Sequence, residues 1–290
     1  MDTSLTNSRS EIHQARRDST DWSSLKASAR LQSLELEGYA VLPGLLGAEL
    51  LDALREETSK LQTTPVDYSE HQRGCADLEW TDSPRVIQLI ALPAMVQFLS
   101  GVLGDDLICT SVAYAFSGPG HPGIALHTDA QPYGSKIFGT QASSPCLVRV
   151  LYYLDDLTPE RSPFKVVPRS HLSLHCDGNP YQRYLSHDEE LMVLCPAGSA
   201  VIINQHVFHG NYPNFSSEPR RLLAIAYRPA WAGPIAKVPE HEAEQVASLP
   251  ENVQPFFRSP NTSGVDFDLP NRPEGMRRTA PGIAPSRWQE

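Results

Sequence analysis

The sequence predicts a mainly β protein with flanking helices, its short strands forming a sandwich or closed barrel. Three observations carry that expectation. From Leu107 onward short apolar runs, at 107–116, 124–130, 147–154, 164–168, 191–194, 199–205 and 221–228, alternate with Gly- and Pro-rich turns. Twenty-five prolines in 290 residues exceed the usual ~5% and disfavour a mainly helical chain. Helical spacing is confined to the part of the chain before residue 104. At 40% apolar and 20% charged, the chain suits one large domain, or a domain with appendages, able to bury a substantial core.

Residues 1–27 are polar and Ser-rich and read as a frayed N-terminal segment. From Leu31 to Leu61 the pattern is helix, strand, helix. Gly38–Pro43 is a short apolar strand ended by proline, and after Gly44 the residues Leu50, Leu51, Leu54 and Thr58 fall at helical spacing. Residues 62–83 carry no period and read as a long loop, of a length uncommon unless functional. Pro84 to Leu103 is a second helical stretch that Pro93 can break in two. Gly118–Gly123 fits G-x-G-x-x-G, but it precedes a strand and contains two prolines, so it is a turn and not a dinucleotide cradle. From Ser259 to Glu290 the chain is rich in Pro, Asn, Gly and Arg, either disordered or wrapped over the body. The expected organisation is a polar segment 1–27, a single domain 28–234 (helices 28–103, β core 107–230) and a partly irregular C-terminal extension 235–290.

A net charge of −10 argues against nucleic acid or an anionic membrane as the main partner. No apolar run reads as a membrane span of ~18 residues, and the polar N-terminus lacks the apolar stretch of a signal peptide, so the expected location is the cytoplasm. The five cysteines, at 75, 109, 146, 176 and 195, lack C-x-x-C spacing and read as reduced thiols. Two N-x-S/T matches, at Asn214 and Asn261, are then chance.

The chemistry centres on Leu126-His127-Thr128-Asp129. Side chains two apart on a strand share a face, so His127 and Asp129 converge and supply two-thirds of a 2-His-1-carboxylate site for iron(II). H-x-D alone is commonly a strand-end His beside a solvated Asp. The later stretch Gln205-His206-Val207-Phe208-His209-Gly210 lies between two apolar strands, so it reads as a hairpin with a long turn. With the turn centred between Asn214 and Phe215, His209 faces Arg220 across the ladder. A metal with a guanidinium beside it calls for a chelator with a distal carboxylate, because the planar Arg fork donates two parallel hydrogen bonds. 2-Oxoglutarate has that shape. His206 is the rival third ligand, although its odd separation from His209 sends the two to opposite strand faces. His171 and His175 have metal-pair spacing only on a helix, which their surroundings do not favour.

H-x-D, then roughly eighty residues, then H-G-x-x-x-N-x-S-x-x-x-R resembles the phytanoyl-CoA dioxygenase family of iron(II)/2-oxoglutarate oxygenases. ELEGYAVLPGLLGAELLDAL (35–54) and FKVVPRSHLS (164–173) resemble it too, so the likeness runs from about residue 35 to 230. The resemblance implies a double-stranded β-helix (jelly roll, cupin-like) with flanking helices. It implies His127, Asp129 and His209 as iron ligands, Arg220 on the 2-oxoglutarate C5 carboxylate, Asn211 where the family often has a helping Ser, and Tyr114 as a further cosubstrate contact. The family's P-G-S-H stands here as Pro168-Arg169-Ser170-His171. The cofactors implied are iron(II), 2-oxoglutarate and O2. In related halogenases a small residue takes the place of Asp129 and leaves room for chloride; the carboxylate here implies hydroxylation or another oxidation of a small metabolite or natural product. Tyr133, Phe138, Arg149 and Phe208 are candidate substrate contacts, with ordinary core or solvated positions as their alternative. The partner expected is a small molecule, on a monomer or homodimer. Two rival functions are a cupin-like metalloenzyme that does not use 2-oxoglutarate, which Arg220 disfavours, and a non-catalytic jelly-roll binder, which the complete ligand set disfavours.

Overall fold

The architecture comes from a computed structural model that describes residues 8–76, 83–129, 147–172, 181, 185–233 and 237–261. Helix α1 (Arg9–Gln14) opens with a capping box in which the Ser8 side chain and Glu11 satisfy each other's backbone N–H. Its Ile12 is fully buried against Met192 and Tyr212, so this part of the N-terminal segment is anchored where the sequence suggested fraying. Helix α2 (Ala27–Leu36) leads to strand β1 (Tyr39–Leu42), buried at all four residues. Helix α3 (Ala48–Ser59) buries Leu51, Leu54 and Thr58, the face its spacing predicted.

Strands β2 (Thr64–Val66) and β3 (Ser69–Ala76) occupy much of the stretch expected to be loop. Both are polar, and β2 is an edge strand, which needs no apolar alternation. Helices α4 (Pro84–Ile90) and α5 (Pro93–Leu103) each carry proline in the first turn and are separated at Pro93. Taken end to end, these 20 residues are long and apolar enough to cross a membrane. Here Val86, Leu89, Ile90, Met95 and Leu99 are buried in the main core of the protein.

The remaining strands are β4 (Leu107–Ser117), β5 (Ile124–His127), β6 (Val148–Tyr153), β7 (Phe164–Val167), β8 (Leu191–Val193), β9 (Ala200–Asn204), β10 (Phe208–Asn211) and β11 (Arg220–Pro229). They build two antiparallel sheets among the described residues. One runs β1-β9-β6-β11-β4-β3-β2 and the other β5-β10-β7-β8. The hairpin expected between the segments around His209 and Arg220 does not form. β10 pairs with β5 and β7, whereas β11 pairs with β4 and β6, so the connection crosses from one sheet to the other. His209 therefore lies opposite His127 and Val166, and Arg220 lies opposite Ser117.

The main core joins α2–α5 to the larger sheet and includes Phe164, Val166 and Val193 from the smaller one. Past β11 the chain returns through helix α6 (Ala243–Ser248) and a 3-10 turn at Gln254–Phe257. Leu249, Val253, Phe256 and Phe257 insert into the same core. Arg228 ties this return down by donating to the carbonyls of Pro229, Ala230, Ala232 and Pro260.

Candidate metal centre and carboxylate pocket

His127 ends β5 and His209 stands directly across from it on β10, the two rings 4.4 Å apart between centroids. Such close approach depends on Gly210: a Cβ there would collide with the Ile124 carbonyl oxygen and come within 3.1 Å of that of Ala125. Gly123, with φ +96°, makes the turn into β5 and has the Asn211 carbonyl oxygen 2.8 Å from where a Cβ would stand.

Asp129 arrives differently from the expectation of strand alternation. β5 stops at His127, and Asp129 sits in a bend whose backbone N–H donates to the Gln205 carbonyl at 3.0 Å. The turn after β9 thus fixes the carboxylate. Its Oδ1 lies 4.0 Å from His127 Nε2 and its Oδ2 3.7 Å from His209 Nε2. One ligand atom from each of the three residues falls within 4.8 Å of the others, the spacing of a metal site. His127 Nδ1 lies 2.9 Å from the Ala125 carbonyl and His209 Nδ1 3.0 Å from that of Val207. Each carbonyl can accept only from a protonated Nδ1, which leaves the Nε2 lone pair for a metal. Burial, then the neighbouring His127, pull the His209 imidazole down to about 4, so it is neutral and able to ligate at neutral pH. His206 is not part of this cluster; its backbone N–H donates to the Asn204 side chain.

Arg149, on β6, places Nε 2.8 Å from Asp129 Oδ2. The pair is close but misaligned for a hydrogen bond, since neither atom has a partner of good geometry. Phe208 points away from the triad into a small apolar cluster with Leu126 and Val167, as alternation from His209 requires. Tyr133 and Phe138 lie outside the described residues, as does His175.

Arg220 is the site's other pole. It is 0% exposed, and none of its three guanidinium nitrogens has a hydrogen-bond partner. The guanidinium stands 5.8 Å over the Tyr153 ring, with Tyr68, Tyr114 and His121 also within electrostatic reach. Burial works against its charge, yet a guanidinium stays protonated in proteins. Among the described residues Asp155 is the acid whose charge acts on Arg220, and it makes no hydrogen bond to it. His121 is pulled down to about 3 by burial and by Arg220 itself, and Asp155 is engaged by Arg221 through Nε at 2.9 Å and Nη2 at 2.7 Å. The Tyr153 hydroxyl is buried without a partner beside Asn211, whose own amide donates weakly to the Ser162 and Pro163 carbonyls at 3.3 and 3.4 Å. An unpaired buried charge costs several kcal/mol, so an anion would fit beside this guanidinium. Tyr114 is buried on β4 with its hydroxyl beside Thr58 of α3, at the margin of the pocket. Sequence reasoning did not assign Tyr68, His121 or Tyr153 to it. Tyr68 lay in the stretch read as loop, and His121 in the motif read only as a turn.

The phytanoyl-CoA dioxygenase (PhyH) family profile matches residues 34–222. The chain belongs to that family. Its two sheets are the double-stranded β-helix of PhyH-family proteins. No curated protein is a significant match in sequence. Among solved structures, HygX from Streptomyces hygroscopicus, with nickel, 2-oxoglutarate and hygromycin B bound, is similar at TM-score 0.59 and 20% identity over 72% of this chain and 92% of that one. The non-haem, α-ketoglutarate-dependent carbocyclase SnoK from nogalamycin biosynthesis gives 0.56 and 20% over 73% and 87%. The epimerase SnoN of the same biosynthesis gives 0.59 and 18% over 75% and 91%, and has also been solved with Fe3+, α-ketoglutarate and nogalamycin RO. At these identities the likeness is one of fold.

Proposed function

We propose that this PhyH-family chain is an iron(II)- and 2-oxoglutarate-dependent oxygenase that hydroxylates, or otherwise oxidises, a C–H bond of a small natural product. The observation that carries the reading is the pairing of a His-Asp-His cluster with a buried, unpartnered guanidinium. The first fits a metal and the second fits the far carboxylate of a metal chelator. His127, Asp129 and His209 would hold iron, with both imidazoles presenting Nε2. Arg220 would take the C5 carboxylate, and the Tyr153 hydroxyl and Asn211 amide are placed to share it. Tyr114 and Tyr153, both buried, would exclude water around that ion pair and so strengthen it. Iron(II) and 2-oxoglutarate supply an oxidising equivalent from O2 as the cosubstrate is cleaved to succinate and carbon dioxide. The chain need provide no acid or base, only ligands, orientation and a dry cradle. Support for a natural-product substrate comes from the hygromycin B and nogalamycin RO bound in the HygX and SnoN structures. The carboxylate of Asp129 in the third ligand position supports oxidation rather than halogenation.

The test is succinate release from 2-oxoglutarate by purified protein. It is expected to need iron(II) and oxygen and to be lost on chelation. Turnover that persists after EDTA and dialysis would overturn the reading. A metalloenzyme independent of 2-oxoglutarate would instead bind metal and leave 2-oxoglutarate unbound, and would give Arg220 no anion.

A further inference from the structure

We propose that Arg149 makes this site select substrates bearing one carboxylate, which the outer edge of its guanidinium holds beside the metal. The proposal rests on the oxygenase reading above. Arg149 projects from β6 toward the triad, with Nε 2.8 Å from Asp129 Oδ2 and 27% of its side chain exposed. That contact uses one edge of the fork. Among the described residues no other hydrogen bond or ion pair engages the guanidinium, which leaves the Nη1/Nη2 edge of this part-exposed side chain with donors to give. Such an edge matches a carboxylate bidentately.

Charge at the loaded centre points the same way. The two charges of iron(II) and the single ones on Arg149 and Arg220 exceed those of Asp129 and dianionic 2-oxoglutarate by one positive unit. A monoanionic substrate closes that gap where water is scarce; an ammonium would widen it. The whole chain carries −10, so this positive spot is local and not part of a basic surface. Arg149 also marks a direction. Its contact is with the candidate metal-ligating carboxylate, whereas Arg220 is fully buried on β11, so the two arginines would divide the substrate from the cosubstrate.

The experiment measures binding without turnover. Anaerobic protein saturated with iron(II) and 2-oxoglutarate is titrated calorimetrically with 3-phenylpropionate and with its amide and amine counterparts. The acid is expected to bind at least tenfold tighter than the amide, and the amine more weakly still. Arg149→Gln should erase the acid's advantage, and Arg149→Lys, which keeps the charge but not the fork, should retain part of it. Saturating iron removes any effect of a weakened Asp129. Equal binding of acid and amide by the unaltered protein, or an acid preference that survives Arg149→Gln, would overturn the proposal. So would an Arg149→Gln protein that cannot be loaded with iron, because the residue would then serve Asp129 alone. Failure of the unaltered protein to bind iron and 2-oxoglutarate at all would instead bring down the oxygenase reading, and this proposal with it.

Discussion

Arg220 and Arg221 are adjacent on β11 and have opposite surroundings. The first is buried with no partner; the second is held by both oxygens of Asp155. Arg220→Ala is therefore expected to weaken 2-oxoglutarate binding by about 1.5–3 kcal/mol, the range for hydrogen bonds to charged groups, while iron still binds. Arg221→Ala should leave 2-oxoglutarate affinity nearly unchanged and lower stability in urea by about 1–3 kcal/mol, since Arg161 also stands near Asp155 at 3.3 Å. Calorimetry and urea titration separate the two, and exchanged phenotypes would contradict the assignment. A similar contrast holds for His209 and His206. His209→Ala should abolish iron binding and His206→Ala should retain it; iron stoichiometry decides. His121 has a pH consequence. Unfolded, it takes up a proton near its ordinary 6.5; folded, it does so only at about 3. Between those values the unfolded state binds more protons, so stability is complete above pH 6.5 and falls as pH drops through the window. The urea midpoint of His121→Gln should fall less steeply between pH 6 and 4 than that of the unaltered protein. Parallel slopes would show that this histidine is not buried neutral.

Strands β5 and β10 form the element on which the metal centre depends, and Gly210 sets their spacing. Gly210→Ala forces a methyl into the carbonyls of Ile124 and Ala125, an overpacking expected to cost about 1–3 kcal/mol. It should also lower iron affinity by moving His127 from His209, which competition with a chelator would measure. The sequence identified these histidines but not the strand pairing that unites them. β10 was legible only as a polar motif because it is buried at all four residues, so no alternation marks it. Whether β10 pairs with β11 or with β5 depends on contacts distant in sequence, and the long turn allowed a hairpin on local grounds. Asp129 was correctly joined to His127, but by a bend held to Gln205 and not by the strand's pleat. Strands β4, β6 and β11 were visible because apolar residues dominate them. β2 and β3 were not, since the edge strand β2 and its neighbour β3 are built mainly of polar residues.

At the scale of the whole molecule, two segments outside the span matched by the family profile help to close the core. Ile12 reaches under the smaller sheet, and Phe256 packs against Tyr227 of β11 at 6.1 Å between ring centroids. Phe256→Ala is expected to lower unfolding free energy by about 3–5 kcal/mol, measured by urea titration, with iron binding intact in the folded fraction. A loss below 1 kcal/mol would mean that the C-terminal return only rests on the body. The larger consequence lies in the division of the site between sheets. His127 and His209 belong to the smaller sheet, whereas Arg220 belongs to the larger. A chelator gripped at both ends would act as a strut across the sandwich. A fitting diacid would brace the two layers against each other, so that the cosubstrate would become a temporary structural member of the protein.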